Sequence, residues 1–206
     1  MTYLYLVRHG ETDWNRARRI QGATDIPLNS TGREQAAATG RLLSRRRWSA
    51  IAASPLSRAA DTARLIAREI GLGEPELVAD LVERNYGEAE GLTWPEVEER
   101  FPHGATVRGR ETREQVAERV VPALLGLAAE HEGESVVVVS HGGVIRAVLD
   151  AVEPGRHTEP ISNGSVHSFR VEDGTLRLIA FDDPIEERSV LPGADDLDEQ
   201  NALERR

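Results

Sequence analysis

The first apolar cluster begins at residue 3: "TYLYLV" packs five apolar side chains into six residues and then runs straight into Arg8, His9 and Gly10. A run this dense and this short predicts a buried β-strand that ends in charge. The next pattern, "NSTGREQAAATGRLLSRR", has helical spacing, with Thr31 and Glu34 at the separation of a capping box. "WSAIAAS" predicts a second strand, and "PLSRAADTARLIAREIG" an amphipathic helix entered through Pro55 and closed by Gly71. "ELVADLVE" reads as a third strand, followed over residues 84–110 by an irregular segment around a short helix, "TWPEVEERF". "ETREQVAERVVPALLGLAAEH" predicts a long helix in which Pro122 introduces a kink. "SVVVVS" is apolar throughout, as strands covered on both faces of a parallel sheet are. It leads into the helix "VIRAVLDAV", and "SVHSFRVEDGTLRLIAFDD" has the form of a hairpin turning at Asp173 and Gly174.

Strands alternating with helices predict an α/β fold, a three-layer αβα sandwich around a mostly parallel sheet. One domain over residues 1–183 accounts for the patterned part of the chain. From Pro184 to Arg206 the sequence is polar and acidic with few apolar anchors, which predicts a partly ordered tail, with room for a short final helix.

Composition narrows the chemistry. The chain has 206 residues, 39% hydrophobic and 29% charged, enough for one substantial core. With no cysteine, it has no disulfide, no thiol nucleophile and no thiolate metal ligand. No apolar run reaches membrane-spanning length, and the N-terminus lacks the basic and apolar regions of a secretory signal, so a cytoplasmic location is expected. A net charge of −10 argues against a nucleic-acid partner, which needs a basic face. All 25 basic residues are arginine. No lysine can therefore form a Schiff base or clamp a phosphate, and an anion would have to be held by Arg, His or backbone N–H groups.

In open α/β sheets, ligands bind beyond the carboxyl ends of the strands. Three expected strand ends carry Arg8-His9-Gly10, Ser54-Pro55-Leu56-Ser57-Arg58 and Ser140-His141-Gly142-Gly143. Each motif alone also fits a surface cap or a plain βα turn. Together they place two arginines, two histidines and helix N-termini on one rim, which describes an oxyanion or phosphate pocket. Arg58 in a first helical turn opposes the helix dipole, which points to an anionic partner.

The stretches "LVRHGET", "SPLSRAADTA", "ERNYGEAEG" and "VSHGG" resemble, in order, the motifs of the histidine phosphatase superfamily, which includes cofactor-dependent phosphoglycerate mutases and related phosphatases. The likeness spans roughly residues 2–181. It implies that His9 is the nucleophile that becomes phosphohistidine, and that Arg8, Arg58 and His141 hold the phosphoryl oxygens. Glu83 matches the family's proton donor, and Asn15, Gln21, Gly22 and Gly142 match positions lining phosphate or substrate. No cofactor and no metal are implied. Among the other histidines, His103 lies in the segment expected to overhang the pocket, while His131, His157 and His167 have no evident role.

The chemistry agrees with those roles. Arg8 and Arg58 would disfavour a protonated His9, keeping it nucleophilic, and a backbone carbonyl would fix its tautomer. A raised pKa would let Glu83 protonate the leaving alkoxide and then activate water. The segment after Glu83 is short and partly acidic, with Arg100, Arg108 and Arg110 as its candidates for holding a second phosphate, and Asn85 stands where mutases of the family usually show His. The expectation is therefore a metal-independent phosphomonoester phosphatase acting on a small metabolite, with phosphoglycerate mutase as the alternative and a non-catalytic phosphate-binding protein as a more distant one.

Overall fold

The computed structural model describes residues 1–103 and 105–185. In chain order the elements are β1 (Thr2–Arg8), α1 (Asp13–Arg16), α2 (Ser30–Leu43), β2 (Ala50–Ala53), α3 (Ser57–Ile70) and β3 (Glu76–Leu77). They are followed by α4 (Trp94–Arg100), α5 (Arg113–Glu130), β4 (Ser135–Ser140), α6 (Gly142–Val152), β5 (Val166–Glu172) and β6 (Thr175–Ala180). One six-stranded sheet has the order β3-β2-β4-β1-β5-β6. The β3-β2-β4-β1 part is parallel, and β5 pairs antiparallel with both β1 and β6, so only β5 runs against the rest.

The alternation of side chains along β1 and β4 divides the core in two. Leu4, Leu6, Val136 and Val138 face α5 and α6, where Val116, Val120, Leu124, Ile145 and Leu149 close the layer. Tyr5, Val7, Val137 and Val139 face the other side, with Leu43 of α2 and Ala59, Ala63 and Ile66 of α3. The four valines of β4 are fully buried. Each contributes about 1.5–3 kcal/mol relative to exposure, so this strand anchors both layers. The hairpin turns where expected, with Asp173 and Gly174 both at positive φ (51° and 68°). Two such residues give the type I′ turn whose twist matches the flanking strands.

Two expectations need correction. "ELVADLVE" is not a full strand: β3 covers Glu76–Leu77, both exposed at the sheet edge, and a 3₁₀ turn follows at Ala79–Leu81. The turn drives Leu81 into the core against α5, which an extended strand at the edge would not allow. Thr31 and Glu34 do not form a capping box. Asn29 caps α2, its Oδ1 accepting from the Gly32 N–H at 2.8 Å, while the Thr31 hydroxyl accepts from Arg16. Capping boxes close Thr12/Asn15, Thr93/Glu96 and Thr112/Gln115 instead. Ile185, at the start of the expected tail, is buried in the α2/α3 layer, which is compatible with partial order there. The expected tail from residue 186 onward lies outside the described residues.

Candidate active site

The three strand ends converge because β1, β4 and β2 are neighbours in matched register, with Arg8 opposite Ser140 and Ala53 opposite Val139. Backbone bonds extend this alignment by one residue each: the His9 N–H donates to Ser140 O and the Ser54 N–H to Val139 O, both at 3.0 Å. His9 and His141 thereby come together, with ring centroids 5.2 Å apart.

His9 is buried, and its Nδ1 lies 2.7 Å from Gly10 O. A carbonyl only accepts, so Nδ1 carries the proton and Nε2 keeps its lone pair. Burial, then Arg58, then Arg8 push the His9 pKa well below the ordinary imidazole value, so the ring is neutral. The backbone carrying it is fixed on all sides. Gly10 N–H donates to the Thr62 hydroxyl, Asn163 Nδ2 donates to His9 O, and Gly164 N–H donates to Arg8 O.

Arg58 is fully buried at the start of α3. Its Nη1 and Nη2 donate to the carbonyls of Thr24 and Gly22 at 2.8 and 2.7 Å. Gly22 stands at φ 56°, and a Cβ there would come within 2.0 Å of the Glu90 carboxylate. That carboxylate accepts from Ala23 N–H, Thr24 N–H and Tyr86 N–H, and so stitches the loop holding Arg58 to the loop after Glu83. Arg8 sends Nη1 to Ile161 O. His141 is completely buried, its Nε2 is 2.8 Å from Ser54 Oγ, and burial followed by Arg58 holds its pKa well down.

Three inward polar atoms, Arg8 Nε, Arg58 Nε and His141 Nδ1, are buried without a hydrogen-bond partner among the described residues. Buried donors are normally satisfied. Two guanidinium N–H groups and an unpartnered imidazole nitrogen beside a neutral histidine are a set that can hold an anion.

Glu83 follows the 3₁₀ turn rather than a strand. Its Oε1 accepts from the Arg84 N–H at 2.7 Å and its Oε2 from the Gly143 N–H at 3.1 Å. Burial raises its pKa against the lowering pull of those two bonds and of Arg58 and Arg8.

The remaining expected residues lie after β1 and β4 in the chain. Asn15 is the N3 member of the Thr12 capping box, and Gln21 accepts from the Thr12 hydroxyl at 2.7 Å. Gly142 sits against Arg8, where a Cβ would meet Nε at 3.3 Å. Sequence reasoning assigned no role to Ser54, Thr62, Gly143, Asn163 or Glu90, although all but Asn163 lie within the motifs it singled out. Thr62 had a signal, being one helical turn beyond Arg58, and its hydroxyl donates to Arg58 O. Asn163 had none, because its loop acquires meaning only when β5 docks beside β1.

His103 is exposed, and His131 and His157 pair with Glu134 and Glu153. His167 is buried in β5 between Ser165 and the Asp182 N–H. Among the described residues no group of three or more His, Asp or Glu side chains is gathered as a metal ion requires, and no helix is long and apolar enough to cross a membrane.

A family described as the histidine phosphatase superfamily (branch 1) matches residues 4–184. The chain belongs to that superfamily. Among its curated relatives is the uncharacterized phosphatase PhoE of Bacillus subtilis (strain 168), 40% identical over 181 residues, covering 88% of this chain and 89% of that one. Another, a metal-independent phosphoserine phosphatase of Arabidopsis thaliana, is 38% identical over 185 residues, covering 84% and 78%. A solved mycobacterial glucosyl-3-phosphoglycerate phosphatase in complex with VO3 superposes with a TM-score of 0.79 at 29% identity, covering 87% of this chain and 98% of that one. The mixed sheet with helices on both faces is thus a phosphoglycerate mutase-like fold.

Proposed function

We propose that this histidine phosphatase hydrolyses a small phosphomonoester through a phosphohistidine on His9, without a metal. The observation that carries the reading is the ring of unpartnered donors, Arg8 Nε, Arg58 Nε and His141 Nδ1, around an imidazole whose Nδ1 is tied to Gly10 O.

In the first step Nε2 of His9 attacks phosphorus as the P–O bond to the leaving group breaks. Arg8, Arg58 and His141 hold the non-bridging oxygens, so positioning and preorganised charge supply most of the acceleration. Glu83, whose protonated form is favoured by burial, gives its proton to the departing alkoxide. In the second step the Glu83 carboxylate takes a proton from water, the water oxygen bonds to phosphorus, and the N–P bond breaks to regenerate His9.

The guanidinium groups of Arg84 and Arg110 lie 5.2 and 5.8 Å from the centroid of the Tyr86 ring, beside Glu83 in sequence. They favour a substrate with a second negative charge, such as a carboxylate, and the phosphoserine and glucosyl-3-phosphoglycerate named for two relatives fit that chemistry. The same arginines also keep a phosphoglycerate mutase as the second reading.

The test is a panel of phosphomonoesters assayed for phosphate release in EDTA, beside a coupled assay for conversion of 3- to 2-phosphoglycerate. Release without isomerisation, with an acid-labile phosphoryl group on His9, is expected. Isomerisation outrunning release would assign the mutase, and unchanged turnover in His9→Ala would sink the mechanism.

A further inference from the structure

Glu83 sits in a stretch with no regular hydrogen-bond ladder, yet a general acid must be held to a fraction of an ångström. Its carboxylate has two backbone donors, but these do not fix the chain that carries it. The backbone of residues 80–85 is fixed from α5. Arg119 sends Nη1 to the carbonyls of Asp80 and Val82 at 2.6 and 2.9 Å, and Nη2 to the carbonyl of Glu83 itself at 3.2 Å. One guanidinium thus satisfies three acceptors that the short β3 and the 3₁₀ turn leave outside any ladder.

Arg119 is in turn oriented by Glu111, which precedes α5. The pair is bidentate, Nε to Oε1 at 3.1 Å and Nη2 to Oε2 at 3.0 Å. Both side chains are largely shielded, at 20% and 26% exposure, so the pair is better protected from solvent screening than a surface ion pair. Burial works against ionising Glu111, but the bonds from Arg119 and Asn85 outweigh it and hold its pKa low. Glu111 also grips the far side of Glu83 directly. Its Oε2 accepts from the Asn85 N–H at 2.7 Å, its N–H donates to Asn85 O at 2.8 Å, and its carbonyl accepts from Arg84 Nε at 2.7 Å. Glu83 is therefore bracketed, with Arg119 holding residues 80–83 and Glu111 holding residues 84 and 85.

The geometry points to Arg119, oriented by Glu111, as a positioning residue that sets the proton-donating carboxyl of Glu83 against the leaving group. The inference rests on the reading of Glu83 as general acid. It touches neither phosphate nor His9, so it makes a selective statement. A substrate with a poor leaving group needs the proton and depends on the clamp, whereas an aryl phosphate with a stabilised phenolate does not.

The experiment compares kcat/KM, which reports the first chemical step, for an alkyl phosphate and for p-nitrophenyl phosphate in wild type, Glu83→Gln, Arg119→Ala and Arg119→Lys. Arg119→Ala is expected to lose about 100-fold on the alkyl phosphate, the size of a misplacement of roughly 1 Å, and no more than a few-fold on p-nitrophenyl phosphate. Arg119→Lys keeps the charge but not the fork, and is expected to lose less, with the same selectivity. Where Arg119→Ala fails to fold, the lysine variant carries the comparison alone. Equal losses on both substrates, or none, would overturn the clamp. Selective loss in Glu83→Gln but not in the Arg119 variants would overturn the clamp alone, whereas no selectivity in Glu83→Gln would remove the general-acid reading and the clamp with it.

Discussion

Ser54 Oγ lies 2.8 Å from Nε2 of His141 and accepts from the Leu56 N–H at 3.3 Å. An anion held at Nδ1 of His141 needs a donor there, and the Ser54 hydroxyl, free to give its hydrogen to Nε2, supports the tautomer that carries the proton on Nδ1. Ser54→Ala removes that orientation and leaves a buried nitrogen unpaired. The expected cost is about 1–3 kcal/mol of transition-state stabilisation, roughly 5- to 150-fold in kcat/KM. Steady-state kinetics with a vanadate-inhibition series checks it, and wild-type values in both would refute the tautomer assignment.

Arg58 divides its guanidinium, with both Nη atoms on the loop at Gly22 and Thr24 and Nε without a partner among the described residues, where the proposed mechanism puts the phosphoryl group. A lysine has one ammonium and cannot do both. Arg58→Lys is expected to lose about 10²–10³-fold in kcat, as when one preorganised donor to a developing anion is removed. Far-UV circular dichroism would establish that the variant is folded, and a loss below tenfold would contradict the divided role.

At Gly143 an added Cβ would stand 2.5 Å from Glu83 Oε1 and 3.1 Å from the Tyr86 hydroxyl, in a helix whose backbone is otherwise regular. Alanine raises helix propensity by up to about 1 kcal/mol over glycine. Gly143→Ala is thus expected to push the Glu83 carboxylate off the Gly143 N–H, so turnover of alkyl phosphates falls sharply while the gain in helix propensity offsets part of the cost in Tm. Thermal melts and kinetics on one preparation decide it, and a drop in Tm with kinetics intact would be the wrong result.

Stability should depend on pH through buried histidines. The pKa of His167 is lowered to about 3 by burial, with Arg146 and His157 adding to it, and His9 and His141 are lowered in the same direction. Between the unfolded value near 6.5 and the folded value, the unfolded chain binds protons that the native state does not. Stability is therefore complete above about 6.5 and lost as pH falls, by up to about 1.4 kcal/mol per pH unit for each histidine. Glu83 has the opposite sign, its contribution fading as pH rises through its raised pKa. Urea titrations at pH 7.5 and 5.0 should show the loss, and His167→Gln should show a shallower one. Identical slopes for the two proteins would disprove the assignment to His167.

Much of this was legible in the sequence because it depends on strand ends. Arg8, His9, Arg58 and His141 follow dense apolar runs, and a parallel sheet aligns such ends without further information. Glu83 was found by resemblance, and its surroundings were misread. "ELVADLVE" has the composition of a strand, but the sheet edge gives it only two residues of pairing, and burial of Leu81 bends the rest. The supports at Asn163 and Glu90 were invisible for a related reason. Asn163 acts on the His9 carbonyl and Glu90 on the Ala23 and Thr24 N–H groups, all more than 60 residues away in sequence, and polar loop residues carry no periodicity that announces a distant partner.

The separation of His9 from His141 has a simple origin. Adjacent strands lie about 4.7–4.9 Å apart in any sheet. These two rings are mounted one residue past the ends of hydrogen-bonded neighbours, and their centroids are 5.2 Å apart. In the proposed mechanism, the width of the gap assigned to phosphorus is therefore inherited from the repeat distance of the β-sheet. Loops and lids around the rim are free to change which molecule enters, while the spacing at which it reacts stays with the backbone.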